Sequence, residues 1–205
     1  MATAISRKGE LIQDPPLISK LFNDTRAAWL WLPVRIWVGY QWLSAGIEKI
    51  GNPAWMQTGA ALKGFLVAAA AVPANGRAPI AFAWYRTFIQ MLINTQAYTW
   101  FAKVVTVGEV LVGVALILGV FTGISGFFGA FMNWNYIMAG TASTNALLLV
   151  LGLLLLAAWK VSGYLGADYF IIRFIGTPWW TTGTATAKEP ARIPSKAQPA
   201  PAHGN

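Results

Sequence analysis

Apolar residues in this chain gather into long runs separated by short polar stretches. Four runs, about 27–50, 100–120, 124–139 and 145–164, read as membrane-crossing helices, since a span needs about 20 mostly apolar residues. Trp29, Trp31 and Trp55 flank the first run as interfacial aromatics do. Phe121-Thr122-Gly123 leaves so short a turn that the second and third spans are predicted to be antiparallel neighbours. The segment between the first two spans holds two shorter apolar stretches, Gly59–Val72 and Ile80–Ile93, divided by Pro73 and Asn75-Gly76. Both are too short to cross comfortably, so they are predicted as helices lying in the interface or re-entering it, with a fifth, poorly formed span as the alternative. The pattern therefore predicts an all-α fold: an integral membrane four-helix bundle with an interfacial helical segment between spans one and two. Residues 1–26 are expected to form a cytoplasmic N-terminal segment in which Leu17–Phe22 reads either as a short surface helix or as part of a solvated tail. The membrane domain occupies 27–180, and 181–205 is an Ala/Pro-rich tail expected to be disordered.

Composition agrees with that pattern. Of 205 residues 56% are hydrophobic and 11% charged, and the mean hydropathy is +0.51. The net charge of +8 comes from basic residues scattered around the apolar runs. They form no stripe, so nucleic acid is not the expected partner and the charges read as topology signals. Arg7, Lys8, Lys20, Arg26, Lys160, Arg173, Lys188, Arg192 and Lys196 outweigh Lys49, Lys63, Arg77, Arg86 and Lys103 on the other side. That predicts a multi-pass protein of the cytoplasmic membrane with both ends inside. The chain has no cysteine, and its one histidine is His203. Thiolate chemistry, Cys-bound zinc and iron–sulfur ligation have no residues here, and haem or metal sites built on histidine are not expected.

The charges that fall inside the apolar runs are the candidate chemistry, because intramembrane charge is costly and faces protein or water. On the first helix Gly39, Trp42, Gly46 and Lys49 all lie within about 40° of Arg35, and Gln41, Ser44 and Glu48 form a second stripe roughly opposite. Arg35 belongs to the inner half, where Asp168 is its expected ion-pair partner, fastening the bundle. The outer half brings Glu48, Lys49, Glu109, Asn133, Tyr136, Thr144 and Asn145 to one level. A protonatable carboxyl beside a lysine is what quinone reduction needs, since a quinone takes up protons with its electrons. The alternative is a purely structural pairing of Glu109 with Lys49 or Arg86. Gly108, Gly113, Gly119, Gly123, Gly126 and Gly129 suit close helix packing, and Thr141–Thr144 is expected to cap the fourth helix.

Three blocks carry a family resemblance. The first is Arg35-x3-Gly39-x2-Trp42-x3-Gly46-x-Glu48-Lys49 with Asn52-Pro53-x-Trp55. The second is Gly108-Glu109-x3-Gly113-x2-Leu116-x2-Gly119-x-Phe121-Thr122. The third runs Met132-Asn133-x-Asn135, then Ala139-Gly140-Thr141-Ala142-Ser143-Thr144-Asn145, then Gly163-Tyr164-x-Gly166-x-Asp168. In order and spacing they resemble the DoxX family of small four-helix membrane proteins, most closely its DoxD-like branch, the large subunit of thiosulfate:quinone oxidoreductase. The resemblance implies oxidation of thiosulfate to tetrathionate outside the cytoplasmic membrane, electrons passed to a membrane quinone, and a DoxA-like second subunit. On that reading Glu109 and Glu48 exchange protons, and Lys49 or Arg86 attracts the anionic substrate. Trp42, Asn133, Tyr136 and Asn145 line the quinone pocket. Two other readings stand beside it: a non-catalytic membrane scaffold of a redox or stress-response complex, and a small transporter.

Overall fold

The helix Tyr98–Leu118 organises the computed structural model, which describes residues 4–5, 11–12 and 14–175. In chain order the described elements start with a two-residue antiparallel ladder, β1 (Ala4–Ile5) with β2 (Leu11–Ile12). Helices α1 (Pro16–Asn23), α2 (Ala28–Ile50), α3 (Pro53–Met56), α4 (Ala60–Ala70) and α5 (Ala83–Asn94) follow. Then come α6 (Tyr98–Leu118), α7 (Thr122–Met138), α8 (Ser143–Ala157), α9 (Trp159–Ser162) and α10 (Asp168–Ile175). The fold is thus all-α apart from that ladder. The predicted tail lies outside the described residues.

Among the described residues α6 alone is both long and apolar enough to cross a membrane, with a mean hydropathy of 2.1 over its best window. The 23 residues of α2 are as long, but Arg35, Glu48 and Lys49 interrupt them. The fourth predicted span is shorter than its apolar run: α8 closes at Ala157, and a break at Ala158 separates it from the single turn of α9. The segment between α2 and α6 folds as three short helices, the single turn of α3 and then α4 and α5, which pack on each other around Leu62, Leu66, Tyr85 and Ile89.

The closest packing pairs α2 with α6 and α7 with α8, and glycine makes both contacts possible. A methyl on Gly39 would lie 2.9 Å from the carbonyl oxygen of Gly113, and one on Gly113 would lie 2.5 Å from the backbone nitrogen of Leu43. One on Gly46 would lie 2.9 Å from the nitrogen of Val110. Backbone therefore meets backbone along α2 and α6, as small residues allow. In the second pair a methyl on Gly126 would lie 3.2 Å from the carbonyl oxygen of Gly152.

The packed interior is unusually polar: Arg35, Thr106, Glu109, Thr122, Ser125, Asn133, Ser162 and Asp168 are all buried. The outer faces are apolar instead, with Trp37 and Tyr40 on α2, Val104 and Leu111 on α6, Phe127 and Phe131 on α7, and Leu147 and Val150 on α8 all exposed.

Arg35 and Asp168 meet the same end of the bundle, but not as the predicted ion pair. The Arg35 guanidinium donates to two backbone carbonyls, Nη1 to Ser162 and Nη2 to Leu165, each at 3.1 Å. Asp168 accepts from two backbone amides, Phe121 at 2.6 Å and Thr122 at 2.8 Å. Among the described residues the ion pair within 4.0 Å is Lys49–Glu109. The physical reason is local. The first turn of α7 and the end of α9 leave orphan backbone donors and acceptors, and a carboxylate and a guanidinium match them directly. Asp168 thereby caps the positive end of α7. Gly119 and Gly166 leave the space in which the guanidinium sits, and Gly119 takes φ +69, which a glycine adopts freely.

The predicted hydroxyl cap of the fourth helix is absent as well. Ala142 stands at the N-cap of α8 with no side-chain hydrogen bond, and Thr141 Oγ1 instead donates to the carbonyl of Tyr136 at 2.7 Å.

Candidate functional site

The glycine seam between α2 and α6 sets the site. One turn beyond Gly46, α2 carries Lys49, and one turn before Gly113, α6 carries Glu109. Because the helices run antiparallel with their backbones in contact, the two side chains meet. Lys49 Nζ lies 2.7 Å from Glu109 Oε2 and 2.9 Å from Oε1. From α7, the Tyr136 hydroxyl donates to Glu109 Oε1 at 2.8 Å. Glu109 is buried with its side chain 2% exposed, while that of Lys49 is 19% exposed. Lys49 also stands over the ring of Trp55, 5.2 Å from its centroid. Three groups that can carry protons are therefore joined in one hydrogen-bonded chain reaching from a half-buried lysine to the inside of the bundle.

That chain opens on a cavity of about 510 Å³. The end of α2 supplies Gln41, Trp42, Ser44, Ala45, Glu48 and Lys49 to its wall, and α6 supplies Glu109. Asn133 and Tyr136 come from α7, Thr144, Asn145 and Leu148 from α8, with Thr141, Trp55 and Phe65 completing it. The wall grades from wet to dry. Glu48 and Thr144 are exposed and Asn145 is half-buried, whereas Trp42 and Asn133 are buried. Asn145 turns its amide back on its own helix start, donating to the carbonyl of Thr141 at 3.0 Å. Phe65 packs edge-on to the Tyr136 ring, with centroids 6.2 Å apart. The side-chain oxygen and nitrogen of Asn133 and the indole nitrogen of Trp42 are buried without a hydrogen-bond partner.

Comparison of the chain with protein-family models, with curated proteins and with solved structures gives no match. The site is therefore read from its own geometry.

Of the residues singled out from the sequence, the structure brings Glu109, Glu48, Lys49, Trp42, Asn133, Tyr136 and Asn145 to one cavity. It does not bring Arg86. That residue lies on α5 and donates through Nη2 to the carbonyl of Ile80 at 2.6 Å, and it is not part of the cavity wall. Arg35 and Asp168 stand at the opposite end of α2, since the 14 positions from Arg35 to Lys49 span about 21 Å. Thr144, expected at the same level, lines it too, and the cavity adds Gln41, Ser44, Ala45, Trp55, Phe65, Thr141 and Leu148. The polar stripe through Gln41, Ser44 and Glu48 was the signal for the first two.

The electrostatics limit what can enter. Lys49 and Glu109 neutralise each other, and Glu48 at the mouth leaves the lining with one net negative charge. Every cation in the wall is already committed. A neutral molecule with hydrogen-bond acceptors suits this interior, and a dianion does not. Among the described residues no cluster of three His, Cys, Asp or Glu is placed to hold a metal ion.

Proposed function

We propose that this chain is a multi-pass membrane protein of the DoxX type and the quinone-binding subunit of an oxidoreductase that converts thiosulfate to tetrathionate. The observation that carries the reading is the hydrogen-bonded chain from half-buried Lys49 through buried Glu109 to Tyr136, opening on a cavity of about 510 Å³. The Tyr136 hydroxyl and the Lys49 ammonium in that wall suit the carbonyl oxygen of a neutral ring. Two thiosulfate dianions give up two electrons as one sulfur–sulfur bond forms, and quinone takes up those electrons with two protons. The residues here handle the protons. Tyr136 and Glu109 hold them at the inner wall, Lys49 offsets the carboxylate charge, and Glu48 at the exposed mouth exchanges with water.

The membrane reading is supported by the apolar outer faces of α2, α6, α7 and α8 around a polar interior. Four crossings put Lys20, Arg26, Lys160 and Arg173 on one side, which the positive-inside rule makes cytoplasmic. The cavity mouth then faces outward. Because the cavity holds no uncommitted cation, thiosulfate is oxidised outside it, at the outer surface or on a DoxA-like second subunit.

A scaffold role is the second reading, favoured by α10, where Phe170 is 70% and Phe174 93% exposed and available to a partner.

The test is thiosulfate-dependent reduction of decylubiquinone in membranes of the native host and of a strain lacking the protein. The rate is expected to require the protein and to fall about a hundredfold with Glu109→Gln, the scale of a lost acid–base group. A rate that does not depend on the protein removes the enzyme reading.

A further inference from the structure

Two short helices lie at the end of the bundle opposite the cavity, and both carry one pattern: an apolar residue, a cation three places on and a second apolar residue at the fourth. In α1 it is Leu17, Lys20 and Leu21; in α10 it is Phe170, Arg173 and Phe174. At helical spacing the apolar pair stacks along one face and the cation stands about 60° to its side.

Each helix is fastened at one end only by that face or by its backbone. The Trp31 indole donates to the carbonyl of Leu21 at 2.8 Å, and the Phe22 ring packs on Trp31 with centroids 5.5 Å apart. One turn earlier the same apolar stripe has left the bundle, with Leu17 78% exposed and Ile18 exposed beside it. α10 is pinned at its start, where the backbone N–H groups of Ala167 and Asp168 donate to the carbonyls of Leu118 and Gly119 at 3.1 and 2.7 Å. Phe170 and Phe174 beyond it are exposed. The Arg173 guanidinium lies on the Tyr169 ring, 4.5 Å from its centroid, which leaves its edge N–H groups directed outward for a planar anion.

Phe170, Ile171, Arg173 and Phe174 line an open hollow of about 520 Å³. Three apolar side chains and one guanidinium suit an amphiphile with an acyl chain and an anionic head. The surrounding charges agree. Lys20, Arg26, Lys160 and Arg173 are exposed at this end, and among the described residues none of them forms an ion pair. Of the acids here, Asp168 is buried against the amides of Phe121 and Thr122, and Asp24 accepts from the Arg26 amide at 2.9 Å, while Asp14 is exposed. The apolar surface also continues into the outer face of α2 through exposed Trp29 and Leu30.

We infer that α1 and α10 form a collar in the headgroup layer of the inner leaflet, where Lys20 and Arg173 hold anionic phospholipids whose acyl chains meet Leu17, Phe170 and Phe174. The inference rests on the membrane reading above and not on the quinone site. Short helices that bury aromatic and leucine side chains at the acyl boundary and keep cations at headgroup level bind anionic lipid in this way. One pattern repeated on two separately held helices suits a continuous surface of a single chemistry, which a leaflet is.

The chain has no cysteine, so Leu17→Cys and Phe174→Cys each provide a single thiol for a bimane label, at positions too exposed to disturb packing. The labelled full chain is placed in nanodiscs of mixed phosphatidylcholine and phosphatidylglycerol, and quenching by doxyl-labelled forms of each lipid is compared. Both labels are expected to be quenched by lipid. The phosphatidylglycerol form should be about fivefold more effective, the weight of one basic group at an anionic surface. Lys20→Gln at the first label and Arg173→Gln at the second should lower that ratio toward one, and Lys103→Gln, at the other end of the bundle, should leave it unchanged. Labels quenched by iodide and not by lipid overturn the inference, as do equal quenching by the two lipids and a preference that survives Lys20→Gln and Arg173→Gln. A label shielded from iodide and lipid alike marks a second copy of the chain on this face and overturns it as well. Leu111→Cys on the outer face of α6 separates the two readings. Lipid quenching there, with none at the other two labels, leaves the membrane reading standing, and its absence at all three removes both.

Discussion

Lys49 Nζ lies 2.7 Å from Glu109 Oε2, and this pair joins the end of α2 to the middle of α6 at the wall of the cavity. Neither residue reaches the other by chance of side-chain length. Gly39, Gly46 and Gly113 remove the Cβ atoms that would hold the two helices apart, and the ion pair follows from that approach.

The two partners are not equivalent, and this yields the first prediction. Lys49→Met leaves a buried carboxylate with the Tyr136 hydroxyl as its remaining partner, which is expected to lower stability by about 3–5 kcal/mol. Glu109→Gln leaves an ammonium near the mouth that can swing toward water, so the loss is smaller, about 1–2 kcal/mol. Reversible unfolding in mixed micelles measures both. Equal losses would show that the asymmetric burial does not govern the pair.

The glycine seam can be tested separately. Gly113→Ala places a methyl 2.5 Å from the Leu43 nitrogen. It is expected to lower stability by about 1–3 kcal/mol and to weaken duroquinone binding by parting Lys49 from Glu109. Gly64→Ala on α4 meets nothing within 4 Å, so it should leave binding unchanged and raise stability by about 0.5–1 kcal/mol. The same unfolding assay reads both variants.

Asp168→Asn probes the far end of the bundle. It removes a charge that accepts from Phe121 and Thr122 at the start of α7, with an expected loss of about 1–2 kcal/mol. Binding of duroquinone should not change, because the cavity lies about 21 Å away along α2. A loss of binding without a loss of stability would contradict this division of the bundle.

Tyr85 gives a pH dependence. It lies on α5, a helix of 12 residues that is too short to cross a bilayer, and its hydroxyl donates to the Asn135 carbonyl at 2.9 Å. Burial pushes its phenol up to about 12 from the ordinary 10.0. The folded state thus prefers the neutral phenol. That contribution is fully present below pH 10, is lost as pH rises from 10 towards 12, and levels off beyond. Stability measured across this window should fall less steeply in Tyr85→Phe than in wild type. Identical slopes would mean that Tyr85 titrates normally.

The sequence pattern made part of this legible. The Arg35–Gly39–Trp42–Gly46 stripe of the first apolar run is buried as its spacing predicts, and the outer-level grouping of Lys49, Glu109, Tyr136 and Asn145 meets in one cavity. Side-chain periodicity carries that information, because it states which residues share a face. It does not carry the partners of helix ends. Asp168 and Arg35 are of opposite sign and at one level, yet each finds orphan backbone groups closer than the other's charge. Arg86 turns to the Ile80 carbonyl for the same reason. The early close of α8 at Ala157 is also silent in the pattern, since the leucine run continues smoothly into Ala158 and Trp159.

The most direct test of the cavity is where a photoreactive azidoquinone attaches to the protein in nanodiscs, read by peptide mass spectrometry. Labels are expected between Gln41 and Lys49 on α2 and between Asn133 and Tyr136 on α7, both suppressed by excess duroquinone. Labels confined to outer-face residues such as Leu111, Phe127 and Phe131, and indifferent to duroquinone, would contradict that expectation.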